Sequence, residues 1–347
     1  MKIGYNAVKF WLRTGMFFYF SKIEVHGRGH IPKNKPIMLL ANHQNALLDP
    51  LMIAMHCGMN PYFLARSDLF KKPFVSRFLT YLQMIPIYRF RDGVDTLKNN
   101  PAIFKKCGKL LIQGETVMLF PEGNHGILRR VRLPMRKGFA RMIFSALEDE
   151  PDLDIRILPV GLNYKSAAMF PDSVSMHIGE NFRVQDFYDS NDLQLSETRL
   201  KDEVFKRLKL LTTHIDDEAT YDNVLSQLEN KKVNFLHPKK INEQIDTLNP
   251  LQKIETEQSK PALLVKIATL LFKVINFPVL LFWNKKIKFS AKDIEFRTTL
   301  RFMMSLLLFP VFYLLEFLIL AYAIGQNLAF AFILAHILFN LAYVKLR

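Results

Sequence analysis

Two apolar runs near the end of the chain, "FMMSLLLFPVFYLLEFLILAYAI" (302–324) and "NLAFAFILAHILFNLAYV" (327–344), leave the fewest structural options. In hydrocarbon every backbone N–H and C=O has to be satisfied inside the segment, so each run must be a helix. At about 1.5 Å per residue the first is long enough for a bilayer core about 30 Å thick. Gly325 and Gln326 separate the runs in a turn, which makes them a hairpin. Arg301 precedes the pair, and Lys345 and Arg347 close it, so the positive-inside rule places both ends on the cytoplasmic side. Glu316, His336 and Asn340 fall inside the hairpin. Facing lipid would be costly for them; either they pair with one another or they mark a functional spot.

The apolar segment 261–283 differs from these two. Lys266 and Lys273 stand seven apart on one helical face, and Pro278 interrupts the run. A third full span here would also put the basic stretch that follows on the opposite side from the chain's end. An interfacial or re-entrant helix is expected instead. At the other end, residues 1–21 mix aromatics and Leu12 with Lys2, Lys9 and Arg13, as an amphipathic helix lying in a headgroup layer does. The competing reading is a first helix packed on the domain's own core.

Half of the 347 residues are hydrophobic, with 30 Phe and 14 Met, and the formal net charge is +15. That charge calls for a polyanionic partner. The apolar runs select an anionic membrane face over nucleic acid. Two cysteines, Cys57 and Cys107, and the histidines His26, His30, His43 and His56 lack metal-ligand spacing, so neither a metal site nor a disulfide framework is expected.

Between residues 22 and 190, short apolar runs alternate with helical patterns. The strand candidates are 22–25, 36–41, 61–65, 84–88, 116–120, 155–160 and 173–178; the helical ones are 50–58, 71–83, 94–113 and 136–149. This alternation predicts an α/β domain whose mixed, mostly buried sheet is flanked by helices. Residues 191–260 read as a helical extension, "SETRLKDEVFKRLKLL", followed by a polar tether, and 261–347 as the membrane region.

Within the α/β part, "MLLANHQNALLDPLMIAMHCG" (38–58) carries His43 next to Asn42, with Asp49 six positions on and just before Pro50. Asp49 is well placed as the N-cap of a helix starting at Pro50. A carboxylate on one imidazole nitrogen would also fix the tautomer and raise the basicity of the other, as deprotonating an alcohol requires. Positions six apart do not pair on a regular helix, so a dyad needs "QNALL" to be a turn. Further chemistry-bearing groups fall at expected strand ends: Arg89 and Arg91 after "IPIY", Glu122 and Gly123 in "FPEG", Arg136 and Lys137 at a helix start, and Pro159 in "ILPV". Open α/β sheets bind ligands at such ends, and arginine suits a phosphate dianion.

In this order, "NHQNALLDP", "IPIYR", "FPEG" and "ILPV" resemble the four blocks of the glycerophosphate and lysophospholipid acyltransferases. The resemblance implies that fold, with His43 as the base on the acceptor hydroxyl and Asp49 orienting it. It further implies Arg89 on the acceptor's phosphate, Glu122 and Gly123 helping to bind the acceptor, and Pro159 lining the donor side. Arg136 or Lys137 as a further phosphate ligand follows from charge and position. No cofactor is implied; the co-substrate is an acyl-CoA or acyl-carrier protein. The block here has five residues between His43 and Asp49 where four are usual, and Asn124-His125 where Ser or Thr then Arg is common. The longer spacing resembles the fungal-type glycerol-3-phosphate acyltransferases, and Arg91 or His125 would replace the missing cation. The expected activity is acyl transfer to glycerol 3-phosphate on the cytoplasmic face of a membrane. Its alternatives are a lysophospholipid acceptor, or a membrane-anchored lipid-binding protein without turnover.

Overall fold

The seven apolar runs pair into one sheet. The computed structural model describes residues 2–89, 92–252, 262–287 and 294–347; Arg91 lies outside them. Helix α1 (Lys2–Tyr19) leads into β1 (Phe20–His26), then β2 (Ile37–Ala41), α2 (Leu48–His56), β3 (Tyr62–Arg66), α3 (Pro73–Tyr81) and β4 (Met84–Ile87). There follow α4 (Asn100–Ile112), β5 (Thr116–Leu119), α5 (Gly138–Asp149), β6 (Arg156–Tyr164) and β7 (Asp172–Ile178). The strand β8 (Phe182–Arg183), too short to leave a periodicity in the sequence, pairs with β6. The order is β1-β7-β6-β2-β5-β3-β4. Strands β6, β2, β5, β3 and β4 run parallel, while β7 is antiparallel to β6, so the sheet is mixed. The carboxyl ends of the five parallel strands therefore lie along one edge.

Side chains alternate along a strand. Ile37, Leu39 and Ala41 thus face one layer and Met38 and Leu40 the other. Met16 of α1, Leu48 and Met52 of α2, and Phe302 fill the first layer. Cys107 of α4, Phe139 and Ile143 of α5, and Leu200, Val204 and Leu208 of α6 (Leu193–Leu211) fill the second. At about 1.5–3 kcal/mol for each large apolar side chain fully buried, these layers are the main stabilising term.

Helix α6 is thus docked on the core instead of extending from it. The polar stretch expected as a tether holds two helices, α7 (Tyr221–Asn230) and α8 (Pro238–Ile245), around their own small core of Ile215, Tyr221, Val224, Leu228, Phe235 and Ile241. Each helix is too short, and its apolar residues too few, to show a period in the sequence.

Among the described residues two helices are long and apolar enough to cross a membrane: Phe296–Ile324, within α11 (Ile294–Ile324), and α12 (Gln326–Lys345). Before them, α9 (Leu263–Ile275) and the helix starting at Phe277, α10 (Phe277–Phe282), meet at an 82° bend, the shape of a broken span or a re-entrant loop. The polar residues of the hairpin pair with one another. His336 Nδ1 is 2.9 Å from Glu316 Oε2, Asn340 donates to the Tyr313 hydroxyl at 2.8 Å, and Asn276 donates to Asn340 at 2.8 Å. His336 Nε2 also meets Asn276 Oδ1 at 3.2 Å, so Asn276 ties the bend to the hairpin. Helix α1 supports both of its readings: Leu12 and Met16 sit in the core, while Phe10, Trp11, Phe17 and Phe18 are exposed on the outside.

Candidate active site

The carboxyl edge of the sheet collects the chemistry. His43 follows β2, Phe120 and Glu122 follow β5, Arg66 ends β3, Arg89 follows β4, and Tyr164 ends β6. His43 Nδ1 lies 2.8 Å from Asp49 Oδ2. The same oxygen accepts the Asn45 backbone N–H at 2.7 Å, and Oδ1 accepts the Tyr164 hydroxyl at 2.7 Å. Asp49 is completely buried, so these three contacts are what make the carboxylate tolerable there. A carboxylate accepting at Nδ1 leaves the Nε2 lone pair facing outward.

These contacts change the expected role of Asp49 as a helix cap. Helix α2 begins at Leu48, with Leu47 at the cap position and no side-chain cap bond. Asp49 lies inside the first turn, its oxygens spent on His43, Asn45 and Tyr164. Pro50 falls where a first-turn amide has no helical acceptor, so the missing N–H costs nothing. The five-residue spacer, one longer than usual, is absorbed as a turn in which Ala46 takes φ +29° and the Leu48 and Asp49 amides both donate to the Asn45 carbonyl.

Neighbouring elements hold this turn in place. Asn42 grips Leu162 of β6 twice, accepting its N–H at 2.7 Å and donating to its carbonyl at 2.9 Å. The His43 ring stacks on Phe120 at 3.9 Å and meets the His125 ring edge-on at 5.5 Å. Glu122 bridges two loops, accepting the backbone N–H of His43 at 2.9 Å and of Arg132 at 3.1 Å. Gly123 has φ +71°, and a Cβ there would sit 2.8 Å from Arg136 Cγ, so both backbone and space demand glycine.

The remaining sequence candidates divide. Arg136 packs on Gly123, and its backbone N–H donates to the Pro121 carbonyl at 2.7 Å, which brings it to the "FPEG" turn. Lys137 turns instead to α6, 2.8 Å from Glu197. Pro159 is buried mid-strand and, by alternation with Leu158 and Val160, points away from the layer that holds Asp49 and toward Gly179 and Leu211. Arg89 is 2.8 Å from Asp92 and 3.8 Å from Asp68, and Arg66 donates to Asp68 at 3.0 Å. The bond from Arg89 holds the Asp92 carboxyl down at about 2. Strands β2 and β4 are separated by β5 and β3, three spacings of about 4.8 Å each, so His43 and Arg89 stand apart along the carboxyl edge rather than touch. Among the described residues no group of His, Cys, Asp or Glu is arranged to hold a metal ion.

An acyltransferase family model matches residues 22–163. This part of the chain is an acyltransferase domain. A 1-acyl-sn-glycerol-3-phosphate acyltransferase of Borreliella burgdorferi is 24% identical over 219 residues, which cover 60% of this chain and 81% of that protein. An acyltransferase of Schizosaccharomyces pombe is 29% identical over 87 residues, 25% of this chain and 13% of that one. Among solved structures, the 1-acyl-sn-glycerophosphate acyltransferase of Thermotoga maritima is similar at 22% identity and a TM-score of 0.42, covering 58% of this chain and 77% of that one.

Two polar groups of the candidate site, Tyr164 and Arg66, lie outside the four blocks. Tyr164 and Arg66 each end a strand, and "FLAR" does carry the same signal as "IPIYR", an apolar strand closed by arginine. Nothing in the sequence links Tyr164 to Asp49, or Asn42 to Leu162.

Burial pushes the Glu122 carboxyl up to about 7, outweighing the two amide donors. In the unfolded chain it ionises near 4.5, so between those values the folded acyltransferase keeps a proton that the unfolded chain has released. Stability from this group therefore falls as pH rises from about 4.5 to 7. The wild type should lose melting temperature relative to Glu122→Gln across that interval, read by thermal unfolding in detergent. A constant difference between the two would remove the proton from Glu122.

Proposed function

We propose that this acyltransferase moves a fatty acyl group from a thioester donor to the free hydroxyl of a phosphorylated glycerol, with His43 as general base. The observation that carries it is the Nδ1–Oδ2 contact of 2.8 Å between His43 and the buried Asp49 across the five-residue turn. His43 Nε2 takes the hydroxyl proton as the oxygen attacks the thioester carbonyl; a C–O bond forms, the C–S bond breaks, and the departing thiolate receives the proton. Direct attack suits the two thiols: burial raises the Cys57 pKa and pushes Cys107 up to about 12, so neither is an available nucleophile. The amides of His43, Gly123 and Gly126 already donate within the protein, to Glu122, Phe120 and the His43 carbonyl, so an oxyanion needs other donors.

Arg89, with Arg66 beside it, provides the cationic end for the acceptor's phosphate. The donor is an acyl-CoA or acyl-carrier protein, and no cofactor takes part. Arg301 near the start of α11 and Lys345 at the end of α12 favour the cytoplasmic face for the acyltransferase domain, against anionic lipid. Glycerol 3-phosphate is the acceptor that the longer His43–Asp49 spacing favours. Similarity to the 1-acyl-sn-glycerol-3-phosphate acyltransferase of Borreliella burgdorferi favours 1-acylglycerol 3-phosphate. Thiol release from acyl-CoA with each acceptor in turn decides between them, and no release with either overturns acyl transfer. Arg89→Ala should raise KM for the phosphorylated acceptor by about tenfold or more with kcat within a few-fold, since a charge-assisted bond is worth about 1.5–3 kcal/mol. An unchanged KM takes the phosphate away from Arg89.

A further inference from the structure

A residue at the start of the membrane hairpin bridges the strand ends between His43 and Arg89. Phe296 lies in the first turn of α11, the helix that becomes the first span. Its ring meets His125 edge-on at 5.4 Å, and His125 meets His43 at 5.5 Å. The Arg66 guanidinium lies 5.8 Å from the centroid of the same ring, and Arg66 joins Arg89 through Asp68. Phe296 therefore touches both halves of the site, the imidazoles after β2 and β5 and the arginines after β3 and β4.

The roof is fixed to the catalytic turn. Thr298 Oγ1 donates to the Ala167 carbonyl at 3.1 Å, and Asn45 Nδ2, from the turn between His43 and Asp49, donates to the same carbonyl at 3.1 Å. Ala167 sits at φ +64° and is itself held by Asp172, which accepts its N–H at 2.8 Å. One turn further along α11, Arg301 reaches the Ala168 carbonyl, and Phe302 is buried against Tyr19. Movement of this end of the helix would strain bonds of the turn that carries the base.

We infer that Phe296 is a specificity-determining residue: the start of the membrane helix roofs the strand ends between base and phosphate clamp and limits how bulky an acceptor fits there. This rests on the dyad and clamp proposed above. The anchor is then part of the active site, and a small acceptor such as glycerol 3-phosphate fits beneath the ring where an acyl-bearing one is crowded. Discrimination by an apolar wall is modest, about 10–200-fold per group accommodated or refused.

The test uses the full chain in mixed micelles and compares kcat/KM for glycerol 3-phosphate with kcat/KM for 1-acylglycerol 3-phosphate. Phe296→Ala should shift that ratio toward the acylated acceptor by about tenfold or more. Tyr322→Ala, on the same helix and 96% exposed, should leave it unchanged. If Phe296→Ala fails to fold, Phe296→Leu, which trims the ring and keeps apolar bulk, should shift the ratio in the same direction. A folded variant at position 296 whose ratio stays within twofold of wild type, or whose two activities fall together, overturns the inference. His43→Ala, run on both acceptors, keeps the readings apart. Turnover surviving His43→Ala beside a shifted ratio for Phe296→Ala removes the base and leaves the roof.

Discussion

His43→Ala is expected to lose about 10²–10⁴-fold in kcat on every acceptor, with little loss of stability. The ring's own contribution to the fold is small. It stacks on Phe120, and its one side-chain hydrogen bond goes to a carboxylate that keeps two other donors, the Asn45 amide and the Tyr164 hydroxyl. Asp49 thus remains satisfied after the substitution, and the cost to folding is about 1 kcal/mol. The chemical loss is larger because no other described side chain offers a neutral imidazole at that place. His125 contacts the ring edge-on, not the buried carboxylate. Steady-state thiol release beside a melting curve reads both quantities. A folded variant with near-wild-type turnover ends the base assignment.

The sequence reveals most where a signal is local. Seven strands could be read because several are continuous apolar runs and most alternate with helical periodicity, and the two membrane helices because hydrocarbon admits little else. The order of "NHQNALLDP", "IPIYR", "FPEG" and "ILPV" pointed to the right superfamily, and parallel pairing then placed the ends of the strands concerned on one edge. Tertiary partners were hidden. Tyr164 and Asp49 are 115 positions apart, and Lys137 finds Glu197 across the second layer. Helix-cap statistics suited Asp49 in sequence but lost to three donors that converge on it only in the folded chain. Phe296 reads as part of the basic stretch ahead of the 302–324 span; its place between His125 and Arg66 depends on how α11 docks through Thr298 and Phe302. Local pattern assigns elements, while the choice of partner between elements belongs to the assembled core.

Asp49→Asn is the sharper test of the dyad, because it preserves shape while altering the donors and acceptors. The carboxylate accepts from three donors at once, and an amide presents only one oxygen. If Oδ1 of the new Asn faces His43 and Asn45, its NH2 faces the Tyr164 hydroxyl, which can rotate to accept; the tautomer survives but the negative charge behind the imidazole is gone. If the NH2 faces His43 Nδ1, that nitrogen must accept, the proton moves to Nε2, and the base is lost outright. Either orientation weakens proton abstraction, and kcat should fall by about 10²–10⁴. The stability cost of one mismatched buried contact is about 1–3 kcal/mol. Tyr164→Phe isolates that cost, since it strips a donor from Asp49 Oδ1 and leaves His43 and Asn45 on the other oxygen. The two variants should therefore lose similar melting temperature while only Asp49→Asn loses most of its turnover. Equal turnover in both would mean that the carboxylate holds the turn together and does nothing further for the imidazole.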